Sequence, residues 1–137
     1  MLPGVTTTWS LLDLDGALRA SWAADTSSPD YRTQWQPDNP AWGHCDITAL
    51  IVNDLFGGDL VVGEVHLAGE QHGYHWWNRL PNGIDLDLTR EQFRRGEQVS
   101  AERVVERPPG PLPRRWDAYL LLRTRVAAHL GRLPEPA

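Results

Sequence analysis

The chain has 137 residues, a hydrophobic content of 41%, a charged content of 23% and a formal net charge of −5. This length fits a single domain over residues 1–137, with a core over about residues 8–130. The acidic balance excludes the basic surface that a nucleic acid or an anionic membrane needs. No apolar run approaches the ~20 residues that cross a bilayer. We therefore expect neither a nucleic-acid partner nor a membrane partner.

The use of cysteine bears on the compartment. Cys45 is the only cysteine, so the chain cannot form an internal disulfide. The N-terminus lacks the basic region and apolar stretch of a signal peptide. We expect a reducing cytoplasm as the localisation and no cofactor, and the oligomeric state is left open.

Two helices separated by a loop are predicted for the first part of the chain. Leucines at helical spacing predict a helix over residues 8–24, with Thr8 or Ser10 as its N-cap. Turn residues predict a loop over 26–40. A second helix is predicted over Cys45–Phe56, with Asp54 facing away from its buried stripe.

The second part of the chain predicts strands and a final helix. Strands are predicted over 60–67, 74–80 and 84–89, while 99–105 is ambiguous. Thr89 and Gln92 have the spacing of a capping box. A stretch rich in proline and glycine at 108–113 precedes a helix over 114–130, whose first residues, including Arg115, we expect at the surface. This order predicts an α+β domain in which N-terminal helices pack on a short antiparallel sheet, followed by a C-terminal helix.

The turn between the last two of these strands determines which side chains meet. If Pro81-Asn82-Gly83 is a three-residue hairpin loop with Gly83 in the left-handed conformation, Arg79 faces Asp85. His75 and Asp87 then become diagonal neighbours on one face of the sheet. A two-residue turn would instead place them on opposite faces.

Cys45, His75 and Asp87 are the parts of a thiol-nucleophile site. A helix N-terminus and a neighbouring imidazolium both lower the pKa of a thiol, and the sequence offers both to Cys45. His75 would take the thiol proton, and Asp87 would orient the imidazole. Asn78 is the alternative orienting group, and Asp87 has the alternative task of capping the turn that follows it.

The chain resembles the YunG-like family of small bacterial proteins in segments that cover about half its length. More distantly, the layout resembles papain-like and transglutaminase-like domains, in which a cysteine opens a helix and the histidine and aspartate lie on adjacent strands. That resemblance assigns the catalytic roles to Cys45, His75 and Asp87. The YunG-like pattern has glutamine directly before the cysteine, so His44 at that position becomes a candidate oxyanion donor or rival base. The matching segments are Trp35-Gln36-Pro37-Asp38-Asn39-Pro40, Gly43 to Gly58, His75 to Gly83 and Asp87 to Phe93.

These residues predict a cysteine-triad amide or thioester hydrolase, or an acyltransferase, that works through a Cys45 thioester. Its partner would be a small-molecule or peptide acyl substrate. Trp42, Trp76 and Trp77 are the candidate substrate-binding residues because aromatic rings offer large contact areas.

Two other functions remain open at the level of the sequence. The first is a non-catalytic binding module that retains the scaffold and docks a partner on its tryptophan-rich face. The second is zinc binding by His44, Cys45, His72 and His75, although their spacing matches no common structural zinc pattern.

Overall fold

The computed structural model describes residues 9–93, 95–107, 114–131 and 133. Within these residues the elements are α1 (Leu11–Ser21), α2 (Cys45–Phe56), β1 (Asp59–Leu67), β2 (Glu70–Arg79), β3 (Asp85–Leu86), β4 (Gln98–Val105) and α3 (Trp116–Leu130). Single turns of 3-10 helix lie at Ala24–Thr26, Arg32–Gln34 and Arg90–Gln92. The predicted α+β class is confirmed. The stretch at 108–113 and the alternative N-cap Thr8 lie outside the described residues.

The four strands form one antiparallel sheet in the order β3-β2-β1-β4. The ambiguous segment at 99–105 is therefore part of an edge strand, β4, which pairs with β1. Gly63 interrupts the register between these two strands, and a Cβ there would lie 2.6 Å from a methyl carbon of Val99. The central pair, β1 and β2, carries the residues on which the site is built.

Of the two hairpin loops that the sequence left open, the structure has the three-residue form. The Leu80 N–H donates to the carbonyl of Ile84 at 2.8 Å, and Arg79 pairs with Asp85 across the two strands. Gly83 has a φ of 87°, which is the left-handed conformation that the loop requires. The register is the one that a three-residue loop implies, and it places odd-numbered residues of both chain segments on one face.

The chain leaves the sheet earlier than the sequence predicts. The strand expected over 84–89 is limited to β3, because the backbone N–H of Thr89 donates to Asp87 Oδ1 at 3.1 Å and turns the chain. The predicted capping box at Thr89 is wrong. Thr89 precedes a single 3-10 turn without a side-chain cap. The Gln92 amide donates to the Thr89 hydroxyl oxygen at 3.3 Å, whereas a capping box needs the Gln92 oxygen to accept from the Thr89 N–H, which donates to Asp87 instead.

The two N-terminal helices differ in what they cover. α2 packs against β2, as expected, whereas α1 packs mainly against α3. The expectation that both helices pack on the sheet is therefore wrong for α1. Its buried side chains, including Leu14 and Leu18, share one core with Leu122 and Val126 of α3.

α1 is shorter at both ends than predicted. Ser10 is its N-cap: Ser10 Oγ accepts from the Asp13 N–H at 3.1 Å, and the Asp13 carboxylate accepts from the Ser10 N–H at 2.8 Å. At the other end Trp22 adopts an extended backbone and donates its indole N–H to Thr48 Oγ1 at 3.1 Å. No helix in the described part of the chain combines the length and apolar character needed to cross a membrane.

A buried carboxylate joins α2 to the C-terminal part of the fold. The Asp54 side chain is 1% exposed, so the prediction that it faces away from the core is wrong. It pairs with Arg107 at 2.7 Å and with Arg123 at 2.5 Å, and the Tyr119 hydroxyl donates to it. These contacts form because α3 covers the face of α2 that the sequence pattern left polar.

We predict that Asp54→Asn lowers the free energy of unfolding by about 3 kcal/mol, because it leaves two arginines without a counter-charge in a buried setting. Urea denaturation monitored by far-UV circular dichroism measures this loss. Asp59→Asn is the matched control: Asp59 is exposed, so its substitution should change the stability by less than about 0.5 kcal/mol. Equal stability of the two variants would contradict a structural role for the Asp54 cluster.

Candidate active site

Cys45 is the first residue of α2 and borders a cavity of about 590 Å³. The backbone just before the helix depends on Gly43, which has a φ of 77°. A Cβ at this position would lie 2.1 Å from Ser27 Oγ, so only glycine fits. Gly43 therefore fixes the turn that delivers the thiol to the cavity.

Arg115 holds the same turn from the other side. Its guanidinium donates to the Asp46 carboxylate at 2.9 and 3.2 Å and to the carbonyl oxygens of Thr26 at 3.0 Å and Gly43 at 3.2 Å. Arg115 is 9% exposed, so the expectation of a surface position is wrong. The start of α3 is thus anchored to the start of α2.

His75 and Asp87 meet on the odd-numbered face of the sheet. The distance from His75 Nε2 to Asp87 Oδ2 is 2.6 Å. The other carboxylate oxygen, Oδ1, accepts from the backbone N–H and the hydroxyl of Thr89 at 3.1 and 3.2 Å. Asp87 therefore caps the turn and contacts the imidazole at the same time, so the two roles that the sequence left as alternatives are compatible.

Aromatic rings hold the imidazole in place. His75 is 2% exposed. The Trp77 ring stacks on it at a centroid distance of 5.6 Å, and Phe93 meets it edge-on at 4.5 Å. Trp77 is buried, and its indole N–H donates to Asp85. Trp77 lies beside His75 but not among the residues that line the cavity at Cys45, which does not support its expected role in substrate binding.

Gln92 is the site residue that sequence reasoning missed. Its Oε1 accepts from the Gly43 N–H at 3.2 Å, and its Nε2 lies 3.2 Å from His75 Nδ1. The same amide hydrogen-bonds to the Cys45 thiol. Gln92 thus contacts both the thiol and the imidazole. Its position within the segment 87–93, which matches the family pattern, could have marked Gln92 as a site residue. Its spacing from Thr89 indicates a capping box instead.

The hydrogen bonds fix where the His75 proton lies. The Gly43 N–H can only donate, so Gln92 must present its oxygen to Gly43 and its NH₂ group to His75. Nδ1 of His75 is then an acceptor, and the proton of the neutral ring lies on Nε2, facing Asp87. The lone pair of His75 therefore lies on Nδ1, where it accepts a hydrogen from the Gln92 amide, and Nδ1 is the nitrogen that could act as a general base once that amide moves away.

The environment of the thiol differs from the expectation. Cys45 is partly buried where it borders the cavity, and this burial raises the pKa of its thiol to about 12. The carboxylate of Asp46 raises this pKa further, while hydrogen bonds from the Trp76 backbone and the Gln92 side chain act in the opposite direction. Burial therefore acts against the lowered pKa that the sequence predicts for the Cys45 thiol.

His44 has a structural position. It is fully buried, and its Nδ1 donates to the carbonyl of Trp42 at 2.9 Å. Its Nε2 accepts from the Thr26 hydroxyl at 2.8 Å. Burial lowers the pKa of His44 to about 4, so the ring is neutral near pH 7. Both ring nitrogens are occupied, which does not support the expected role as an oxyanion donor or rival base.

Asn78 also lies away from the imidazole. Its side chain is buried on the opposite face of β2, where Nδ2 donates to the carbonyl of Ala49 in α2 at 2.9 Å. Its position therefore favours Asp87 over Asn78 as the group that orients His75. Of the three candidate tryptophans, Trp42 and Trp76 line the cavity with Cys45.

The described residues do not offer a metal site. Among them, no three histidine, cysteine, aspartate or glutamate side chains lie close enough together to hold an ion. His44 and His75 are in addition committed to the hydrogen bonds described above. The zinc hypothesis, which needed His44, Cys45, His72 and His75 to converge, therefore has no support in this geometry.

Comparison with known proteins identifies the family. The family model described as "YunG protein" matches residues 10–131. The chain belongs to the YunG family. It is 34% identical over 76 residues to the Bacillus subtilis (strain 168) protein described as "Uncharacterized protein YunG". That match covers 56% of this chain and 56% of the relative, so the chain spans little more than half the length of the relative it matches. No solved structure matches the chain.

We predict slow alkylation of Cys45 in this YunG-family chain. With a thiol pKa of about 12, the thiolate fraction at pH 8 is about a thousandfold smaller than for an unperturbed thiol. Iodoacetamide labelling followed by mass spectrometry should therefore show a rate that still rises with pH up to pH 10, while urea-unfolded protein labels rapidly at pH 8. A plateau with an apparent pKa below ~7 would contradict this and indicate a resting thiolate–imidazolium pair.

We further predict that ¹⁵N NMR of His75 at neutral pH shows a protonated Nε2 and an unprotonated Nδ1. Gln92→Glu should place a proton on Nδ1, because the glutamate offers an acceptor where the glutamine offers a donor. Asp85→Asn is the control, since Asp85 pairs with Arg79 and should leave the His75 proton unchanged. A proton on Nδ1 in the unmodified protein would rule out the hydrogen-bond assignment of Gln92.

Proposed function

We propose that this protein is a cysteine-dependent acyl-transfer enzyme, an amide or thioester hydrolase or acyltransferase, that uses Cys45, His75 and Asp87. The hydrogen bond between His75 Nε2 and Asp87 at 2.6 Å, with Nδ1 left as an acceptor, is the observation that carries the proposal. Both His75 and Cys45 line the same cavity, and Gln92 contacts each of them.

The raised thiol pKa determines how such an enzyme would act. Cys45 rests as a neutral thiol, so His75 Nδ1 accepts its proton as the sulfur attacks the acyl carbon of the substrate. A new C–S bond forms and the carbonyl π-electrons move to oxygen. The Asp87 carboxylate remains ionised and stabilises the imidazolium.

The second half of the reaction regenerates the thiol. Collapse of the tetrahedral intermediate breaks the bond to the leaving amine or thiol, which takes the proton from His75 Nδ1. Water or an amine then attacks the Cys45 thioester, and His75 accepts a proton from this nucleophile and returns it to the departing sulfur. Hydrolysis and acyl transfer therefore differ only in the acceptor.

Two groups are placed to stabilise the oxyanion. The first is the pair of backbone N–H groups of Cys45 and Asp46 in the first turn of α2, which the N-cap residue His44 does not cap. The next N–H, that of Ile47, already donates to Asp46 Oδ1 at 2.8 Å. In the proposed reaction Gln92 turns its NH₂ group from His75 Nδ1 to the substrate oxygen, which also frees Nδ1 for the thiol proton. Gln92 would thus supply the donor that the family pattern places directly before the cysteine.

A papain-like or transglutaminase-like relationship is part of the proposal. It is supported by a cysteine that opens a helix, by a histidine on β2, and by an aspartate that directly follows β3. A single free thiol in an enzyme of this kind suits a reducing compartment such as the cytoplasm.

A non-catalytic binding module is the second candidate function. It is favoured by the thiol pKa of about 12 and by the Gln92 amide that occupies His75 Nδ1, since both describe an unreactive resting state. In that case the cavity lined by Trp42 and Trp76 would bind a ligand without transforming it.

We expect N-acetylcysteamine thioesters of acetyl, β-alanyl and succinyl groups to reveal an acyl adduct on Cys45 by peptide mass spectrometry. Cys45→Ala should abolish the adduct. His75→Ala should slow its formation about 10²–10⁴-fold, and Gln92→Ala about 10²–10³-fold. His72→Ala is the matched control, because His72 lines the same cavity but is exposed, and it should leave the rate unchanged.

The result separates the two candidate functions. Absence of a Cys45 adduct with every thioester, or turnover that survives in Cys45→Ala, would overturn the enzymatic proposal and favour the binding module. Equal losses in His75→Ala and His72→Ala would contradict the assigned base.

A further inference from the structure

The cavity beside Cys45 has acidic walls. Asp30, Asp46 and Glu97 line it, and none of the described residues that line it is an arginine. The chain has no lysine, so arginine is its only permanently cationic side chain. Among the described residues that line the cavity, the acidic side chains are therefore not accompanied by an arginine.

Asp30 and Asp46 pair with arginines that do not line the cavity. Arg115 is buried behind Asp46, with its guanidinium turned to backbone carbonyls as well as to the carboxylate. Arg114 lies 4.0 Å from Asp30 in an exposed pair, which water screens strongly. The charges of Asp46 and Asp87 both raise the pKa of the Cys45 thiol, so the nearby charges that act most strongly on the sulfur are negative.

Aromatic side chains complete the walls. Tyr31 and Trp42 meet edge-on at a centroid distance of 5.5 Å, and Trp76 and Phe93 line the same space. The face of an aromatic ring attracts cations, and it does so most strongly for tryptophan. Carboxylates combined with aromatic faces form an environment that favours an ammonium group over a neutral or anionic one.

We infer that the acyl substrate that enters this cavity carries a positively charged ammonium group, as an aminoacyl thioester or amide does. The inference rests on the proposed function for the reaction, and it adds the charge of the substrate. Succinyl and other anionic acyl groups would be disfavoured because they would face Asp30, Asp46 and Glu97.

The charge preference can be measured without turnover. Three methanethiosulfonates of similar size label Cys45 directly: 2-aminoethyl (cationic), methyl (neutral) and 2-sulfonatoethyl (anionic). In each reaction the Cys45 sulfur forms an S–S bond, methanesulfinate leaves, and the thiol proton goes to the solvent. Native rates are divided by the rates on urea-unfolded protein, which removes the intrinsic reactivity of each reagent.

We expect the corrected labelling rate of the cationic reagent to exceed that of the anionic reagent about tenfold at low salt. The ratio of the two rates should fall toward one at 1 M salt, where charges are screened within about 3 Å. The double variant Asp30→Asn/Glu97→Gln should reduce the ratio about threefold or more. The control Asp59→Asn, an exposed acid that does not line the cavity, should leave it unchanged.

A ratio at or below one, or a ratio that the double variant does not reduce, would overturn the inference. If no reagent labels native Cys45, a titration of Cys45→Ser with butylammonium and with butyrate decides it. Shifts of the Trp42 and Trp76 indole resonances with butylammonium alone would support the inference, and their absence would overturn it.

The two proposals fail separately. If the cationic reagent labels Cys45 faster but no thioester forms an acyl adduct, the inference of a cationic ligand stands. Only the proposed enzymatic function is then overturned. Acyl adducts that form equally fast from β-alanyl and succinyl thioesters would retain the enzyme and overturn the charge preference.

Discussion

The hydrogen bond from the Gly43 N–H to Gln92 Oε1 is the contact on which the site depends. It joins the turn before α2 to the 3-10 turn that follows the hairpin, two segments that are 49 residues apart in the chain. Because it fixes the orientation of the Gln92 amide, it also fixes the protonated nitrogen of His75. One backbone donor thus determines the tautomer of the candidate base.

Burial orders the site and also lowers its resting reactivity. Packing holds His75 between Trp77 and Phe93, and the partial burial of Cys45 raises the pKa of its thiol to about 12. A buried thiol of this kind reacts when a base takes its proton during the attack, and not as a preformed thiolate. The site therefore combines a cysteine nucleophile with the general-base mechanism that activates serine nucleophiles.

Arginine–carboxylate contacts position the helices around this site. Arg115 ties the start of α3 to Asp46 at the start of α2, and Asp54 ties the far end of α2 to Arg107 and Arg123. Each contact joins segments at least 50 residues apart, so the local sequence pattern does not predict these contacts. Residues predicted from the sequence to face solvent are instead buried, because α3 covers polar faces that it neutralises.

The sequence by itself determined the α+β class and the helix that Cys45 opens, and it limited the hairpin to two registers, of which the one with a three-residue loop brings His75 to Asp87. These follow from periodicity and from a left-handed glycine, which act over a few residues. Only the tertiary structure decided the role of Gln92 and the pKa of the thiol. Both depend on which distant groups surround a side chain and on how much water they displace, and neither quantity has a local signature in the chain.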